Sequence, residues 1–471
     1  MTSPAPRDPT SDIAAAVPDG VQALMARLWS HGHAAYVVGG SIRDTILGRP
    51  AADWDLATDA RPDRLLSIFP GAVYENQFGT VAVREAAPGA PVNEITTFRT
   101  DHEYADFRRP HRVEFGDDVR LDLARRDFTV NAMAWGADAL PDRHPPLDAA
   151  PPAPGLVDPF GGLGDCGAGL LRAVGDPDVR FREDALRMVR AVRLATVLGF
   201  AIEAATLEAI RRNAGLAGHL SGERVAAELD KLLAAERPST GLALLASTGL
   251  LDVLLPELAE QRGVPQNKIP GDDLWAHTLR TVDAAPASRP VVRLAALLHD
   301  VGKPATIEDG PFRGHEVVGA EQAAVVLARL RLPKAVAERV VHLVRQHMFT
   351  YEASWSDAAV RRFIQRVGIA ALPDLLALRE ADNAGSGTAP DEHGLPELRR
   401  RVKAELDASV VFDRRGLAVH GDDLMAELGI PAGPTLGRVL DELLERVIAD
   451  PSLNDRPTLL LLAESLVSED E

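Results

Sequence analysis

The chain of 471 residues is 46% hydrophobic and 25% charged, which gives it apolar mass for more than one buried core and too much for a disordered chain. Its single cysteine, Cys166, excludes an internal disulfide and any cysteine-built zinc finger, so a bound metal must rest on carboxylates and histidines. A net charge of −18 argues against indiscriminate coating of nucleic acid; with no leader-like start and no membrane-length apolar run, the expected setting is the reducing cytoplasm, without a membrane partner.

In chain order, residues 1–17 read as a flexible tail, and helical periodicity begins at Val21, Leu24, Met25 and Leu28. Ala35 to Val38 reads as a buried strand, broken by Gly39-Gly40 and followed by a short helix that ends at Gly48. Short strands are expected at Asp53 to Leu56, Thr80 to Val83 and Val92 to Phe98, which makes an α+β or α/β module over 18–170, interrupted by a Pro/Ala-rich surface insertion at 141–154. Beyond Asp184 strand signals fade, and amphipathic helices are expected at 184–198, 205–213, 222–235 and 239–251. The further divisions are a helical neck over 171–256, a histidine-bearing helical block over 257–385, a linker over 386–398 and a helical C-terminal region over 399–471.

Charge is unevenly spread. From Arg172 to Arg224 there are nine arginines (172, 180, 182, 187, 190, 193, 211, 212, 224) against seven acids (176, 178, 183, 184, 203, 208, 223), a local excess of +2. An acidic chain with an arginine-rich stretch suits a specific polyanion, because local fields outweigh the total.

The run GGSIRDTILG places Gly39 and Gly40 where backbone must turn tightly against a ligand, with the N–H groups of a helix start behind them and Arg43 one turn in. This is the chemistry of a phosphate cradle. On an expected strand, Asp53 and Asp55 point to one face about 6.6 Å apart and can share a pair of Mg²⁺ ions. Glu94, in VNEITTFR, is a candidate third carboxylate; an ordinary solvated strand glutamate is the alternative.

Gly39-Gly40-x-x-Arg43-Asp44, Asp53-x-Asp55, FRRP (107–110), ARRDFTVNAMA (124–134), DPFGGLGD (158–165) and REDALRMVRAVRLA (182–195) follow one another in the order seen in class II tRNA nucleotidyltransferases, which the chain resembles over residues 20–250. The resemblance implies an α+β head with a small mixed sheet, an all-α neck and HD-type helical domains. It implies catalytic Mg²⁺ on Asp53 and Asp55, triphosphate contacts from Gly40 and Arg43, and a nucleotide contact from Arg126. The expected partners are tRNA, CTP and ATP, and the expected reaction is addition of C, C and A to the tRNA 3′ end with release of pyrophosphate.

Helical steps of three put Asp184, Arg187 and Arg190 within about a 120° arc. Arg193 falls opposite Asp184 and is carried over from the family pattern. A carboxylate beside guanidinium groups complements the amine and ring acceptors shared by cytosine and adenine, and opposes the carbonyl of guanine and uracil.

A second set, His277, His299-Asp300 and Asp382, with His315 and His347 between, suits a divalent metal held without cysteine. LAALLHDVGKP (294–304) resembles the HD phosphohydrolase superfamily, which implies ligands His277, His299, Asp300 and Asp382, a second site at His315 and His347, and phosphatase or cyclic phosphodiesterase action on tRNA ends. His342 is read as an ordinary histidine. The rival readings are a poly(A) polymerase, although YENQFGTVAVRE (74–85) stands where those enzymes carry a basic strand, a partial enzyme adding only C or only A, and a chain that is mainly an HD phosphohydrolase.

Overall fold

The computed structural model describes residues 9–51, 53–76, 78–84, 92–104, 110–138, 152–266, 268–307, 312–408 and 410–468. The chain divides into two compact units, Met1–Pro256 and Glu257–Glu471.

The first unit opens with helices α1 (Pro9–Ala16) and α2 (Asp19–Ser30). The tail expected over 1–17 is therefore helical from Pro9, because Ile13 and Val17 have a core to enter and are buried. Strand β1 (Ala35–Val38) is buried along its whole length. It lies inside a seven-stranded sheet ordered β3-β4-β5-β2-β1-β8-β9, where β2 is Asp55–Thr58, β3 Val73–Asn76, β4 Thr80–Arg84, β5 Val92–Thr97, β8 Ala134–Ala137 and β9 Gly155–Val157. All pairings are antiparallel except β2 with β5. A separate ribbon joins β6 (Arg99–Tyr104) to β7 (Pro110–Phe115). Short helices α3 (Gly40–Ile46), α4 (Pro62–Ile68), α5 (Val119–Ala124) and α6 (Gly162–Ala168) complete the module. One sheet face packs Tyr36, Val38, Ala57 and Ala134 against Phe98, Val119 and Leu123. Burial pushes the Cys166 thiol up to about 12, which disfavours the reactive thiolate. Residues 107–109 of FRRP and 141–151 of the expected insertion lie outside the described residues.

Helices follow: α7 (Pro177–Glu183), α8 (Leu186–Leu198), α9 (Ala204–Asn213), α10 (Gly222–Leu233), α11 (Pro238–Ser247), α12 (Leu250–Leu254) and α13 (Pro256–Ala259). The core face of α8 carries Met188, Val189, Ala191, Val192 and Ala195 against α10 and α11, which leaves Arg187, Arg190 and Arg193, spaced by three, on its other side.

In the second unit α14 (Leu274–Ala284), α15 (Pro290–Leu298), α16 (His315–Arg329), α17 (Lys334–Gln346) and α19 (Leu372–Gly385) pack around one another. Helix α18 (Asp357–Val367) packs on α20 (Leu395–Asp407) and α22 (Pro434–Ala449). Buried Arg361 of α18 pairs with Glu405 and donates to the Ile448 and Ala449 carbonyls, which caps the end of α22. Helices α21 (Gly421–Leu428), α22 and α23 (Arg456–Ser468) enclose a core of Leu424, Leu443, Val447 and Leu459. The linker expected over 386–398 is shorter than its bounds, since α20 starts at Leu395. No helix among the described residues is long and apolar enough to cross a membrane.

Candidate active site

The end of β1 runs into Gly39, whose φ of +86° is open to glycine and strained for other residues. A side chain there would also meet Arg126: an added Cβ would lie 2.9 Å from Nη1 of that guanidinium. The turn therefore needs glycine twice over, for its dihedral and for the close approach of a cation. Helix α3 starts at Gly40 and carries Arg43, which is buried and donates to Asn131 Oδ1 at 2.5 Å and to Asp44 at 2.9 Å.

Facing this turn are the carboxylates. Asp55 opens β2, but Asp53 precedes the strand, so the shared-face geometry expected from strand alternation does not describe the pair. A different feature gathers them. The parallel register of β2 and β5 matches Leu56 with Ile95, which sets Asp55 abreast of Glu94 on adjacent strands. Asp53, Asp55 and Glu94 line the same cleft of about 770 Å³ as Gly39, Gly40, Arg43 and Arg126. Asp55 presents a face to the cleft, yet the surrounding walls remove enough water to raise its carboxyl above the ordinary range; Asp53 adds to the rise and Arg126 opposes it. Burial, with Asp55, Glu75 and Asp53, raises Glu94 likewise. Among the described residues none of these carboxylates is in an ion pair. A divalent cation is the partner such a set lacks, and the residues fit one.

The opposite wall is cationic. Buried Asp122 of α5 grips Arg125 at 2.8 Å and reaches Arg126 at 3.5 Å, and burial lowers the Arg126 pKa. Arg126 Nε is buried without a protein acceptor. Next along the chain, Asp127 is buried against Arg190, 3.0 Å away, and accepts from Phe128 N and Asn131 Nδ2. Burial alone would raise its carboxyl, but these partners hold it below the ordinary range.

Asp184 does not lie on the helix with Arg187 and Arg190. It caps the end of α7 in extended backbone, and α8 begins at Leu186. The expected Asp184–Arg187 face is thus corrected: Asp184 accepts from Leu186 N and pairs at 2.7 Å with Arg224 of α10, while Arg187 is held by Glu183 and the carbonyls of Arg180 and Arg125. Arg193, expected opposite Asp184, lines the same cleft and bonds Glu228 at 2.8 Å. The break between α7 and α8 removes the angular offset computed for one continuous helix. Arg224 Nη1 is a second buried donor without a protein acceptor. Asp122 was not named from sequence, although an acid one turn before Arg126 was an available signal; Asp127 and Asn131 stood unassigned inside the ARRDFTVNAMA motif, and Arg224 was noted only as one of nine arginines.

In the second unit His277, His299, Asp300, His315, His347 and Asp382 come together and are all buried. Asp300 sits between two groups. Its Oδ2 lies 3.3 Å from His277 Nε2 and 3.1 Å from His299 Nε2, and its Oδ1 lies 3.3 Å from His315 Nε2 and 3.6 Å from His347 Nε2. Asp382 Oδ1 is 3.2 Å from His277 Nε2. His299, His315 and His347 each donate Nδ1–H to a backbone carbonyl, of Ala296, Phe312 and Val344. That fixes the tautomer of these three so that their Nε2 lone pairs face inward, with His315 and His347 3.2 Å apart; His277, whose Nδ1 has no protein partner, brings its Nε2 to 3.1 Å from that of His299. Facing lone pairs repel unless a cation lies between them, so the donor set fits divalent metal on both sides of Asp300. Burial would raise Asp300, but His299 and Lys303, the latter at 2.7 Å, hold it well below the ordinary range. His342 stands apart, bonded to the Val367 carbonyl.

Three family models match the chain: the poly A polymerase head domain over residues 35–172, the probable RNA and SrmB-binding site of polymerase A over 199–262, and tRNA nucleotidyltransferase domain 2 over 317–463. A CCA-adding enzyme of Geobacillus thermodenitrificans is 35% identical over 436 residues, covering 92% of this chain and 93% of that one. One from Limosilactobacillus fermentum is 32% identical, covering 94% and 96%. The crystal structure of the Bacillus stearothermophilus CCA-adding enzyme in complex with CTP is 29% identical, with a TM-score of 0.67 and 99% of each chain covered. With the cleft's glycine turn, carboxylates and arginine wall in place, identity of this depth over nearly the full length leaves one conclusion: the chain belongs to the family of CCA-adding enzymes.

Proposed function

We propose that the cleft of the first unit adds C, C and A to a tRNA 3′ end from CTP and ATP, with Asp53, Asp55 and Glu94 as its metal ligands. The observation that carries this reading is the group of carboxylates without a cation partner facing Gly39, Arg43 and Arg126 across one cleft. Mg²⁺ held by these carboxylates would neutralise triphosphate charge and favour loss of the 3′-hydroxyl proton. The rest is the work of the chain itself. The Gly39-Gly40 turn, Arg43 and Arg126 bind the triphosphate, and the Arg126 Nε hydrogen gains in a phosphate the acceptor it lacks. The primer 3′ oxygen attacks the α-phosphorus, the bond to the bridging oxygen breaks, and pyrophosphate leaves.

Asp184 offers an acceptor to the exocyclic amine of cytosine or adenine, with Arg187, Arg190, Arg193 and Arg224 as the donors around it. Because Asp184 is anchored by Arg224 and the Leu186 N–H, a carbonyl brought against it would face an acceptor that cannot turn away. Head (18–170) and neck (171–256) thus divide the labour between phosphate chemistry and base choice, in a reaction that belongs to the cytoplasm. The test supplies tRNAs ending before C, after C and after CC with CTP and ATP separately. Growth that stops after CCA supports the reading, continued A addition indicates a poly(A) polymerase, and addition of only one base indicates a partial enzyme.

The inward-facing imidazoles of the second unit favour a second reading, an HD-type phosphohydrolase over 257–385 with divalent metal on His277, His299, Asp300 and Asp382 and a further ion on Asp300, His315 and His347. A phosphate ester at a tRNA end, such as a 2′,3′-cyclic phosphate, is the substrate class. Hydrolysis that is lost in His299→Ala supports it; purified protein without bound metal or hydrolysis removes it.

A further inference from the structure

The two carboxylates of the histidine cluster in the second unit are held in different ways. Asp300 faces both histidine pairs, and Lys303 at 2.7 Å and Gln266 at 3.3 Å meet its Oδ2. Asp382 faces one pair. Its Oδ1, His277 Nε2 and His299 Nε2 all lie within 3.8 Å of one another, and its other ion pairs among the described residues are with Lys268 and Arg379. Oδ1 is buried, yet no donor meets it in hydrogen-bond geometry. Oδ2 is taken: Arg379, one turn earlier on α19, donates Nη1–H to it at 3.1 Å. The guanidinium is fixed in its turn, since Nη2 donates to the Phe349 carbonyl and the group stands 4.7 Å from the centroid of the Phe349 ring, which packs on Phe363 at 5.0 Å.

We infer that Arg379 is a positioning residue: it turns the Asp382 carboxylate so that Oδ1 faces the His277–His299 side and stays open to a divalent cation there. This rests on the metal-site reading of the second unit. The terminal torsion of an aspartate is broad and nearly two-fold, so either oxygen could face the histidines; a charge-assisted bond that ties one oxygen to a fixed guanidinium selects the other. Lys268 also approaches Oδ1, at 3.5 Å, but it is 38% exposed and donates to Ser386 Oγ at 2.8 Å. It can turn to solvent when a cation arrives, whereas Arg379 is held at both ends of its fork. Because Asp382 meets one histidine pair, the loss of Arg379 should be felt by one ion and not by the ion that Asp300, His315 and His347 would hold.

The experiment titrates full-length, metal-stripped protein with Mn²⁺ in the absence of nucleotide and follows the bound ions by electron paramagnetic resonance. The reference protein carries Asp53→Ala and Asp55→Ala, so that the cleft of the first unit does not contribute. Added to it, Arg379→Gln should weaken the binding of one Mn²⁺ about ten- to hundredfold and leave the second within about twofold. Lys268→Met, which removes the other cation near Oδ1, should leave both within about twofold. Equal weakening of both ions by Arg379→Gln would make Arg379 a residue of the fold and overturn its positioning role, as would the same one-ion loss from Lys268→Met. If Arg379→Gln does not fold, Arg379→Met, which keeps the side-chain stem against Phe349, makes the same comparison. Reference protein that binds fewer than two Mn²⁺ removes the two-ion reading itself, whereas two ions bound with indifference to Arg379 removes this inference alone.

Discussion

The two metal-type sites of this chain are built on opposite plans. In the first unit the candidate ligands are carboxylates, one side of the site is open, and arginines line the same cleft. In the second, imidazoles and carboxylates face inward from the ends of helices and are almost wholly enclosed, with His277, His299 and Asp300 each 1% exposed. Hard oxygen ligands in an open cleft suit an ion that arrives with a nucleotide; buried nitrogens with fixed tautomers suit a resident one. The difference teaches that ligand type and burial, more than the number of ligands, set apart a site suited to an ion that comes and goes with substrate from one suited to a resident ion.

The sharpest way to break this contrast is Asp53→Ala or Asp55→Ala. Either should lower nucleotide incorporation about a thousandfold or more while tRNA binding stays within about twofold; near-normal incorporation would dissolve the first site. His299→Ala should weaken retention of metal through purification by about a hundredfold, read by elemental analysis, with CTP incorporation unchanged. If incorporation falls in parallel with metal content, the two sites are not independent.

Finer tests concern the arginine wall. Asp184→Ala should cost roughly 10- to 100-fold in discrimination against UTP and GTP, measured as the ratio of kcat/KM values, because the acceptor that opposes their carbonyl is gone. Asp127→Asn should destabilise the protein by about 2 kcal/mol, the worth of charge-assisted hydrogen bonds to a buried carboxylate. Since the folded state holds the Asp127 pKa below its ordinary value, its contribution is present above the unfolded pKa and is lost as pH falls through the folded one. The difference between variant and wild type, followed by denaturant unfolding, should therefore shrink in acid; a gap that persists there would mean that shape, and not charge, holds the Asp127–Arg190 contact.

Much of the first site was legible because its parts are close in sequence. Gly39, Gly40 and Arg43 lie on one turn and the start of one helix, and Asp53 and Asp55 follow within the next strand connection. Glu94 was only a candidate, since its place beside Asp55 depends on a parallel pairing of strands with two others between them in sequence. The Asp184 geometry was misread for a specific reason. Angular spacing places Asp184 beside Arg187 only on an unbroken helix over 184–198, whereas the chain pauses in extended backbone at Asp184 before α8 begins. The histidine set followed the order of a known superfamily, and Lys303 stood in the quoted motif without a role, but Gln266, which also contacts Asp300, carries no such mark.

The sequence by itself determined the residue types, the glycine turn, the helical character beyond the first module and the absence of cysteine chemistry, because these depend on local backbone preference and on what each side chain can ligate. Tertiary structure alone decided that Asp55 meets Glu94, that Arg224 and not Arg187 anchors Asp184, and that Asp300 lies between two histidine pairs. Those contacts join residues far apart in the chain, and only packing, by closing the loops between them, sets such distances.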